Sequence, residues 1–415
     1  MPWRDLVVHR HGERTPVSRR LEKWIPPVWF MCATNENMFN SIETFQDKGI
    51  MPSPGKLEKV RYKKSFEYTP PGTKTPIKGD GACFYGQLTN VGRHSMSKLG
   101  ENLRQIYVDR LHYLPETWSP NTLLIRSTDY SRTHDSVIQL VSGGLYPEGT
   151  RGKDFEVQVY TRERDMEILY PNPNCKRLRV LAKEFHAAVA KEFDPTFKKA
   201  ASAWKDFVSE VSLDSHPSAS GLLDTIYAAK AHGIPLPKGL DDEQLFRELE
   251  SSVTAEWFRG YEENAEMRRL GMGPLLGAMR EHMVNKVEGK SGNLHPDTKA
   301  AIYSGHDTTV APLVISLGGF DGRWPPFSSS VVIELLQDTT QSTSSWTSWL
   351  TRKSNVDSHY VRVRYNDKLL NLPGCQAEGK HHANGDKSLC TLKAFLDIVE
   401  EQVPKNWVEE CKVVS

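Results

Sequence analysis

The first residues of the chain that could do chemistry lie in the stretch VVHRHGERTP, residues 7–16. Arg10, His11 and Arg14 follow a short apolar run, and Gly12 lies among them. Two guanidinium groups with an imidazole between them suit a tetrahedral dianion held by charge-assisted hydrogen bonds. Gly12 permits a backbone bend and the close approach of a ligand. The stretch therefore predicts an anion site, with phosphate as the expected anion.

Two later stretches have the same arrangement, with polar residues directly after an apolar run. In RSTDYSRT, Arg126 ends the run and Arg132 opens a predicted helix, where it could add a third guanidinium to the same site. In YSGHDTTVAPL, His306 and Asp307 lie between the run and the next predicted helix. Asp307 could serve only as a helix N-cap, a role that Asp often fills. Alternatively, it places a carboxyl group beside the phosphate.

Composition limits the classes of function. The chain has 415 residues, 38% hydrophobic and 25% charged, which is enough for one large or two medium domains with a buried core. Its formal net charge of +1 provides no global field that would attract nucleic acid or an anionic membrane. We therefore expect no nucleic-acid partner, and any anion binding must be local.

The sequence also shows no membrane-spanning pattern. No stretch approaches the roughly 20 apolar residues of a transmembrane helix, and the opening MPWRDLVV lacks the apolar part of a secretory signal. We expect a soluble protein without integral membrane contact. The chain begins almost on an apolar run. Whether a targeting segment that was cleaved or left out preceded it is therefore an open question at this point.

The cysteines give no sign of a metal centre. The six residues show no CxxC pair, so neither a zinc knuckle nor a thioredoxin-type site is expected. Counting alone leaves their pairing open. We predict no bound metal and no cofactor.

The elements that must position these clusters follow from hydrophobic periodicity. Short apolar runs alternate with longer helical patterns, which is typical of an α/β domain. The predicted strands are DLVVHR, NTLLIRSTD, FEVQVYT, KAAIYSGHD, SSSVVIELLQ and HYVRVRYND. The predicted core helices are TNVGRHSMSKLGENLRQIYVDRL, SRTHDSVIQLVSGGL and TLKAFLDIVEEQV. Open α/β sheets bind ligands where their strands end, which is where the polar clusters occur.

The chain divides into three parts by composition and period. We assign residues 1–23, 86–170 and 294–415 to the α/β core. Residues 24–85 are rich in Pro, Gly and Lys without sustained periodicity, which predicts an irregular insertion. Residues 171–293 carry apolar positions at spacings of three and four, which predicts a helical cap inserted into the core.

The polar clusters resemble those of a known family. RHGERTP resembles the R-H-G-x-R-x-P motif of the histidine acid phosphatases in the phosphoglycerate-mutase-like superfamily, and SGHD resembles their later His-Asp pair. RSTDYSRT resembles the segment that contributes a further phosphate-binding arginine. GQLTNVG, LYPNPNC, LGGFDGRWPPF and LPGC resemble the lysophosphatidic acid phosphatase (type 6) subfamily. The resemblance spans most of the chain and is weakest in the helical cap.

This resemblance implies a fold and a set of roles. The fold would be a doubly wound α/β core sheet with a smaller, mainly helical cap. His11 would attack phosphorus to give a phosphohistidine, and Asp307 would donate a proton to the leaving group. The phosphate would be bound by Arg10, Arg14, Arg132 and His306.

The resemblance also implies two disulfides and an acidic working range. Cys175 would pair with Cys411, and Cys375 with Cys390, although the interval between the second pair is longer here. Cationic surroundings disfavour a protonated His11, which keeps the nucleophile available in mild acid. Since an ordinary carboxylic acid has a pKa near ~4, proton donation by Asp307 predicts an acidic optimum.

Three functions in different classes follow. The first is hydrolysis of phosphate monoesters, with lysophosphatidic acid favoured by resemblance and inositol or sugar phosphates as rivals. The second is phosphoryl transfer by a mutase-like enzyme, and the third is phosphate binding without catalysis. The resemblance suggests a mitochondrial location, whereas disulfides suggest an oxidising compartment such as that of a secreted protein.

Overall fold

The computed structural model describes residues 2–32, 37–46, 53–63, 65–153, 155–290, 292, 294–338 and 355–413. The strands are β1 (Pro2–Arg10), β2 (Asn37–Gln46), β3 (Ser53–Lys63), β4 (Phe66–Tyr68), β5 (Ile77–Gly79), β6 (Leu123–Ser127), β7 (Ala300–Gly305), β8 (Ser330–Gln337), β9 (His359–Tyr365), β10 (Lys368–Leu369) and β11 (Cys390–Thr391). The helices are α1 (Asn90–Arg104), α2 (Ser131–Ile138), α3 (Lys176–Glu192), α4 (Asp194–Ala203), α5 (Ala219–Ala231), α6 (Glu243–Glu263), α7 (Ala265–Val287), α8 (Asp307–Ser316), α9 (Leu392–Glu400) and α10 (Trp407–Glu410). The first two helices continue as π-helical turns, Gln105–Arg110 and Gln139–Leu145.

A mixed sheet forms the centre of the fold. Its strands lie in the order β10, β9, β8, β1, β7, β6, and β11 pairs with β9. β1, β7 and β6 run parallel, whereas β8 and β9 are antiparallel to their neighbours. Five of the six predicted strands are confirmed, as β1, β6, β7, β8 and β9.

The prediction of a sixth strand, FEVQVYT, is wrong. Residues 155–159 carry no strand, and only Tyr160 forms a bridge, to Arg126. The segment does alternate between half-buried and exposed residues, and Val157 and Val159 pack against the core. Alternation therefore reports a half-buried extended segment, but it does not show how far the segment pairs with the neighbouring strand β6, to which it is hydrogen-bonded through Tyr160.

Helices cover both faces of the sheet, which confirms the doubly wound architecture. Alternate residues of a strand point to opposite faces. Leu6 and Val8 pack with residues of α7, α8 and α9, whereas Val7 packs with residues of α1 and α2. Burying both faces of β1 explains why residues 6–8, LVV, form a continuous apolar run.

The segment 24–85 is more regular than its sequence predicts. Among its described residues, β2 pairs with β3 and β4 with β5, each time antiparallel. A disulfide joins Cys32 to Cys83 and so ties the two ends of the segment together. Trp29 and both cysteines pack into the core formed by α3 to α6.

The helices α3 to α7 occupy residues 176–287, as the helical periodicity predicts. The sequence-based division assigns all of them to the cap, whereas Met272, Leu276 and Met283 of α7 pack against the sheet. α7 therefore contributes to the layer that covers the sheet. Within the described part of the chain, no helix is long and apolar enough to cross a bilayer.

Two disulfides agree with the pairing that the resemblance implies. Cys175, directly before α3, is bonded to Cys411, directly after α10. Cys375 is bonded to Cys390 across the longer interval noted in the sequence. The first bond fixes the start of the helical region to the C-terminal end of the described chain.

Candidate active site

The three polar clusters meet where the parallel strands end. Arg10, at the end of β1, lies beside Gly305 at the end of β7, and Ser127 at the end of β6 lies beside Ser304. Parallel strands present their carboxyl ends at one edge of the sheet, which is where open α/β sheets bind ligands. The three clusters are far apart in the sequence, but the sheet brings them together in a single site.

The turn after β1 is held by backbone hydrogen bonds. The His11 N–H donates to the Gly305 carbonyl at 3.0 Å, and the His11 carbonyl accepts from the Ser328 N–H at 3.1 Å. The Gly12 N–H donates to the Ser136 hydroxyl at 3.1 Å. A Cβ at Gly12 would lie 2.5 Å from the Gly92 carbonyl oxygen, so no larger residue fits there.

His11 is buried and neutral. Burial lowers its pKa well below the ordinary value, and Arg10, Arg14 and Arg132 lower the pKa further. Its Nδ1 lies 2.9 Å from the Gly12 carbonyl oxygen, which can only accept. Nδ1 therefore carries the proton, and Nε2 keeps the lone pair that a nucleophile needs.

The guanidinium groups of Arg10, Arg14 and Arg132 surround this imidazole. In each of the three, the buried Nε has no hydrogen-bond partner among the described residues. Burial lowers the pKa of Arg132 to about 10, so this group still carries its charge at neutral pH. Buried donors without acceptors are rare in folded proteins, and three around one imidazole indicate a site for an anion.

Asp307 is the first residue of α8 and forms an ion pair with Arg10 at 2.8 Å. Its Oδ1 also accepts the Thr308 N–H at 2.9 Å. Burial raises the pKa of Asp307, but Arg10 and Arg14 outweigh this effect, and the pKa lies below the usual value. With these two guanidinium neighbours, the carboxyl group is ionised at neutral pH.

His306 lies beside His11, with ring centroids 5.6 Å apart. Burial and the charge of Arg132 lower its pKa to about 3, so the ring is neutral. Its Nε2 lies 3.0 Å from the Thr128 hydroxyl, which fixes the ring orientation. A neutral, oriented imidazole can donate one hydrogen bond to an anion.

Arg126 belongs to the structural framework. It is the penultimate residue of β6, is buried, and pairs with the buried Glu167 at 2.9 Å. Of the two arginines in RSTDYSRT, only Arg132 is directed to the cavity that holds His11.

Two further residues of the site could not be recognised from the sequence. Asp224, on α5, accepts from Arg14 at 2.7 Å and from the Val17 N–H at 2.9 Å, and so connects the helical region to the turn after β1. Phe327 lies under the Arg10 guanidinium, 4.2 Å from it. Neither residue is adjacent to a polar cluster in sequence, and each has an ordinary helical or loop context.

A cavity of about 520 Å³ opens from the cationic end of the site. His11, Arg14, Arg132, His306 and Asp307 line its inner end. Most of the remaining wall is aromatic or apolar and includes Tyr170, Phe185, Trp257, Phe258, Tyr261 and Met267. The cavity therefore combines a small cationic end with an extended apolar wall.

Comparison with known proteins agrees with this geometry. The chain is 33% identical to a probable acid phosphatase of Schizosaccharomyces pombe, over 99% of this chain and 93% of that protein. It is 29% identical to human lysophosphatidic acid phosphatase type 6, over 80% of this chain and 73% of that protein. The phytase of Citrobacter braakii has a similar fold, with a TM-score of 0.62, 16% identity and 100% of both chains covered.

The family match extends through the sheet and the helical region. The profile of the histidine phosphatase superfamily (branch 2) matches residues 6–366, which include all three polar clusters. The resemblance seen in the sequence is thus confirmed at the level of the family. The chain belongs to branch 2 of the histidine phosphatase superfamily.

Proposed function

We propose that this protein is an acid phosphatase that hydrolyses phosphate monoesters through a phosphohistidine at His11, with lysophosphatidic acid as its substrate. One observation carries the proposal: three guanidinium groups surround a neutral imidazole, and each has a buried Nε–H donor without a partner in the described part of the chain. The donors match the equatorial oxygens of a phosphoryl group, and the imidazole supplies the nucleophile.

In the first step, His11 Nε2 attacks phosphorus, and the bond between phosphorus and the ester oxygen breaks. Arg10, Arg14, Arg132 and His306 hold the phosphoryl oxygens and offset their charge. The leaving alkoxide takes its proton from Asp307. A phosphate dianion next to Asp307 raises the pKa of the carboxyl group, because the dianion repels the carboxylate and shares its guanidinium partner.

In the second step, water attacks the phosphohistidine. The Asp307 carboxylate, now deprotonated, takes a proton from this water, and the bond between phosphorus and nitrogen breaks. Inorganic phosphate leaves and the neutral imidazole is restored.

The cavity wall supports a substrate with an apolar tail. Beyond the phosphate-binding end, the aromatic and apolar side chains named above could cover an acyl chain, and burying such a chain contributes about 0.8 kcal/mol per CH₂ group. A relative is named for activity on lysophosphatidic acid, which agrees with this wall. We therefore place the acyl chain along the cavity and the phosphate at His11.

The test is release of inorganic phosphate from lysophosphatidic acid at pH 5 and pH 7, with a chelator present, by the unmodified protein and by His11→Ala. We expect release that survives the chelator and falls by at least about 10³-fold in the variant. Circular dichroism establishes that the variant is folded.

The outcomes separate the rival functions. No release from the folded, unmodified protein would overturn the lipid assignment. Transfer of phosphate to a second hydroxyl, detected as a positional isomer, would indicate a mutase. Phosphate binding without turnover of any monoester would indicate that the protein binds phosphate and is not an enzyme.

A further inference from the structure

We propose that Glu256, on α6, is a specificity-determining residue that excludes esters carrying a second phosphate group above neutral pH. The inference rests on the proposed phosphatase function and concerns the alcohol part of the substrate. Glu256 lies on the wall of the same cavity, away from the cationic end, and takes no part in the chemical steps described above.

The carboxyl group of Glu256 is built into the wall. Its side chain is 13% exposed, and its Oε1 lies 3.4 Å from Nδ1 of His186 on α3. The Nε2 of this imidazole lies 3.3 Å from Asp214, in the segment before α5. The other carboxyl oxygen, Oε2, is buried and has no hydrogen-bond partner among the described residues. The wall therefore presents a carboxyl group that is only partly satisfied.

The charges around the cavity are distributed unevenly. Arg14 and Arg132 lie at the inner end, and the described lining includes no lysine. The charged groups that face Glu256 are His186 from α3 and Asp214, while α7 and α8 contribute Met267 and Pro312. Above pH 7, where the Glu256 carboxyl group is ionised, this part of the wall carries negative charge.

A substrate with one phosphate places its charge at the inner end and a neutral alcohol along the wall. A second phosphate on that alcohol would lie along a wall that carries the Glu256 carboxylate and whose described lining includes no arginine or lysine other than Arg14 and Arg132. Like charges at close range in a partly buried site repel, which disfavours binding of the second phosphate. The geometry thus favours single-phosphate esters.

The effect should depend on pH. Burial raises the pKa of Glu256 to about 7, and Asp214 also raises it, while His186 lowers it. The carboxyl group is therefore largely ionised at pH 8 and largely neutral at pH 5. Exclusion of a second phosphate should be strong in the first condition and weak in the second.

The experiment compares Glu256→Gln with the unmodified protein on fructose 6-phosphate and fructose 1,6-bisphosphate, measuring kcat/KM for phosphate release. Glu263→Gln, which removes a charge from the exposed end of the same helix, is the matched control. We expect Glu256→Gln to raise the ratio of bisphosphate to monophosphate kcat/KM by at least about fivefold at pH 8 and to leave it unchanged at pH 5. The control should leave the ratio unchanged at both pH values.

Retained monophosphate turnover shows that Glu256→Gln is folded. An unchanged ratio at pH 8 would overturn the inference while the proposed function stands. An equal rise at pH 5 and pH 8 would also overturn it, because a steric effect does not titrate. If the unmodified protein hydrolyses no monophosphate ester, lysophosphatidic acid included, the proposed function itself fails.

Discussion

Asp307 is a residue whose protonation state must change during the proposed cycle. Arg10 and Arg14 hold its pKa below the usual value, against the effect of burial. This finding differs from the raised pKa that proton donation at neutral pH would require. In the proposed cycle, the bound phosphate raises the pKa of Asp307, since it brings negative charge next to the carboxylate.

Replacing Asp307 should therefore affect substrates according to their leaving group. For Asp307→Asn we expect kcat to fall about 10²–10⁴-fold on an alkyl phosphate, whose alkoxide needs a proton. The loss should be at least about tenfold smaller on p-nitrophenyl phosphate, because its phenolate leaves without one. Steady-state kinetics on both esters checks this. Equal losses on the two esters would show that Asp307 does not act as the acid.

At the scale of elements, α5 fixes the geometry of the turn after β1. Asp224 holds Arg14 at 2.7 Å and Arg20 at 3.4 Å, and it also accepts the Val17 N–H. One carboxylate of the helical region thus orients a guanidinium that we propose as a phosphate ligand. A misplacement of about 1 Å in such a group can cost about 10²-fold in rate.

We predict that Asp224→Asn lowers kcat/KM by about 10–100-fold and weakens competitive inhibition by inorganic phosphate. Arg14 would keep its charge but lose its orientation. Asp135→Asn is the matched control, because Asp135 pairs with Arg93 at 3.0 Å outside the site. The Ki for phosphate distinguishes positioning from general destabilisation. If it stays constant in Asp224→Asn, the positioning role is wrong.

The strands that carry the site could be predicted because two signals coincide in each. A buried parallel strand is a continuous apolar run, and the chemistry follows where the run stops, as at Arg10 and His306. The segment 155–161 has the alternation of a strand, but alternation cannot reveal whether a partner strand lies alongside. Residues 24–85 show the converse, because their paired strands lack a clear period.

At the scale of the whole molecule, the cavity beside His11 could not be predicted from the sequence. Its wall combines Phe185 of α3, Trp257 of α6 and Met267 of α7 with the strand ends of the sheet. Each of these residues fits an ordinary helix in its own sequence context. Only the packing of the helical region over the sheet edge makes them one surface, and no local pattern encodes that contact.

The packing of the whole molecule also buries an acid that the site does not use. Asp5, on β1, is 1% exposed, and neither carboxyl oxygen has a hydrogen-bond partner among the described residues. Burial raises its pKa well above the usual value, and the neighbouring Glu334 raises it further, while Arg362 lowers it. Over the pH range between the pKa of the unfolded chain and the raised pKa of the folded protein, the folded protein keeps a proton on Asp5 that the unfolded chain releases.

This proton makes stability depend on pH with a definite sign. The unfolded chain releases the Asp5 proton above about pH 4, so the free energy of unfolding falls as the pH rises from there, by up to about 1.4 kcal/mol per unit, until the folded pKa is reached. Asp5→Asn removes this fall in the free energy of unfolding, because asparagine does not titrate. We expect the variant to match the unmodified protein near pH 4 and to exceed it in urea midpoint at pH 7.5, whereas Asp297→Asn, at an exposed side chain, should change neither. A stability difference that is the same at both pH values would show that Asp5 does not hold a proton in the folded state.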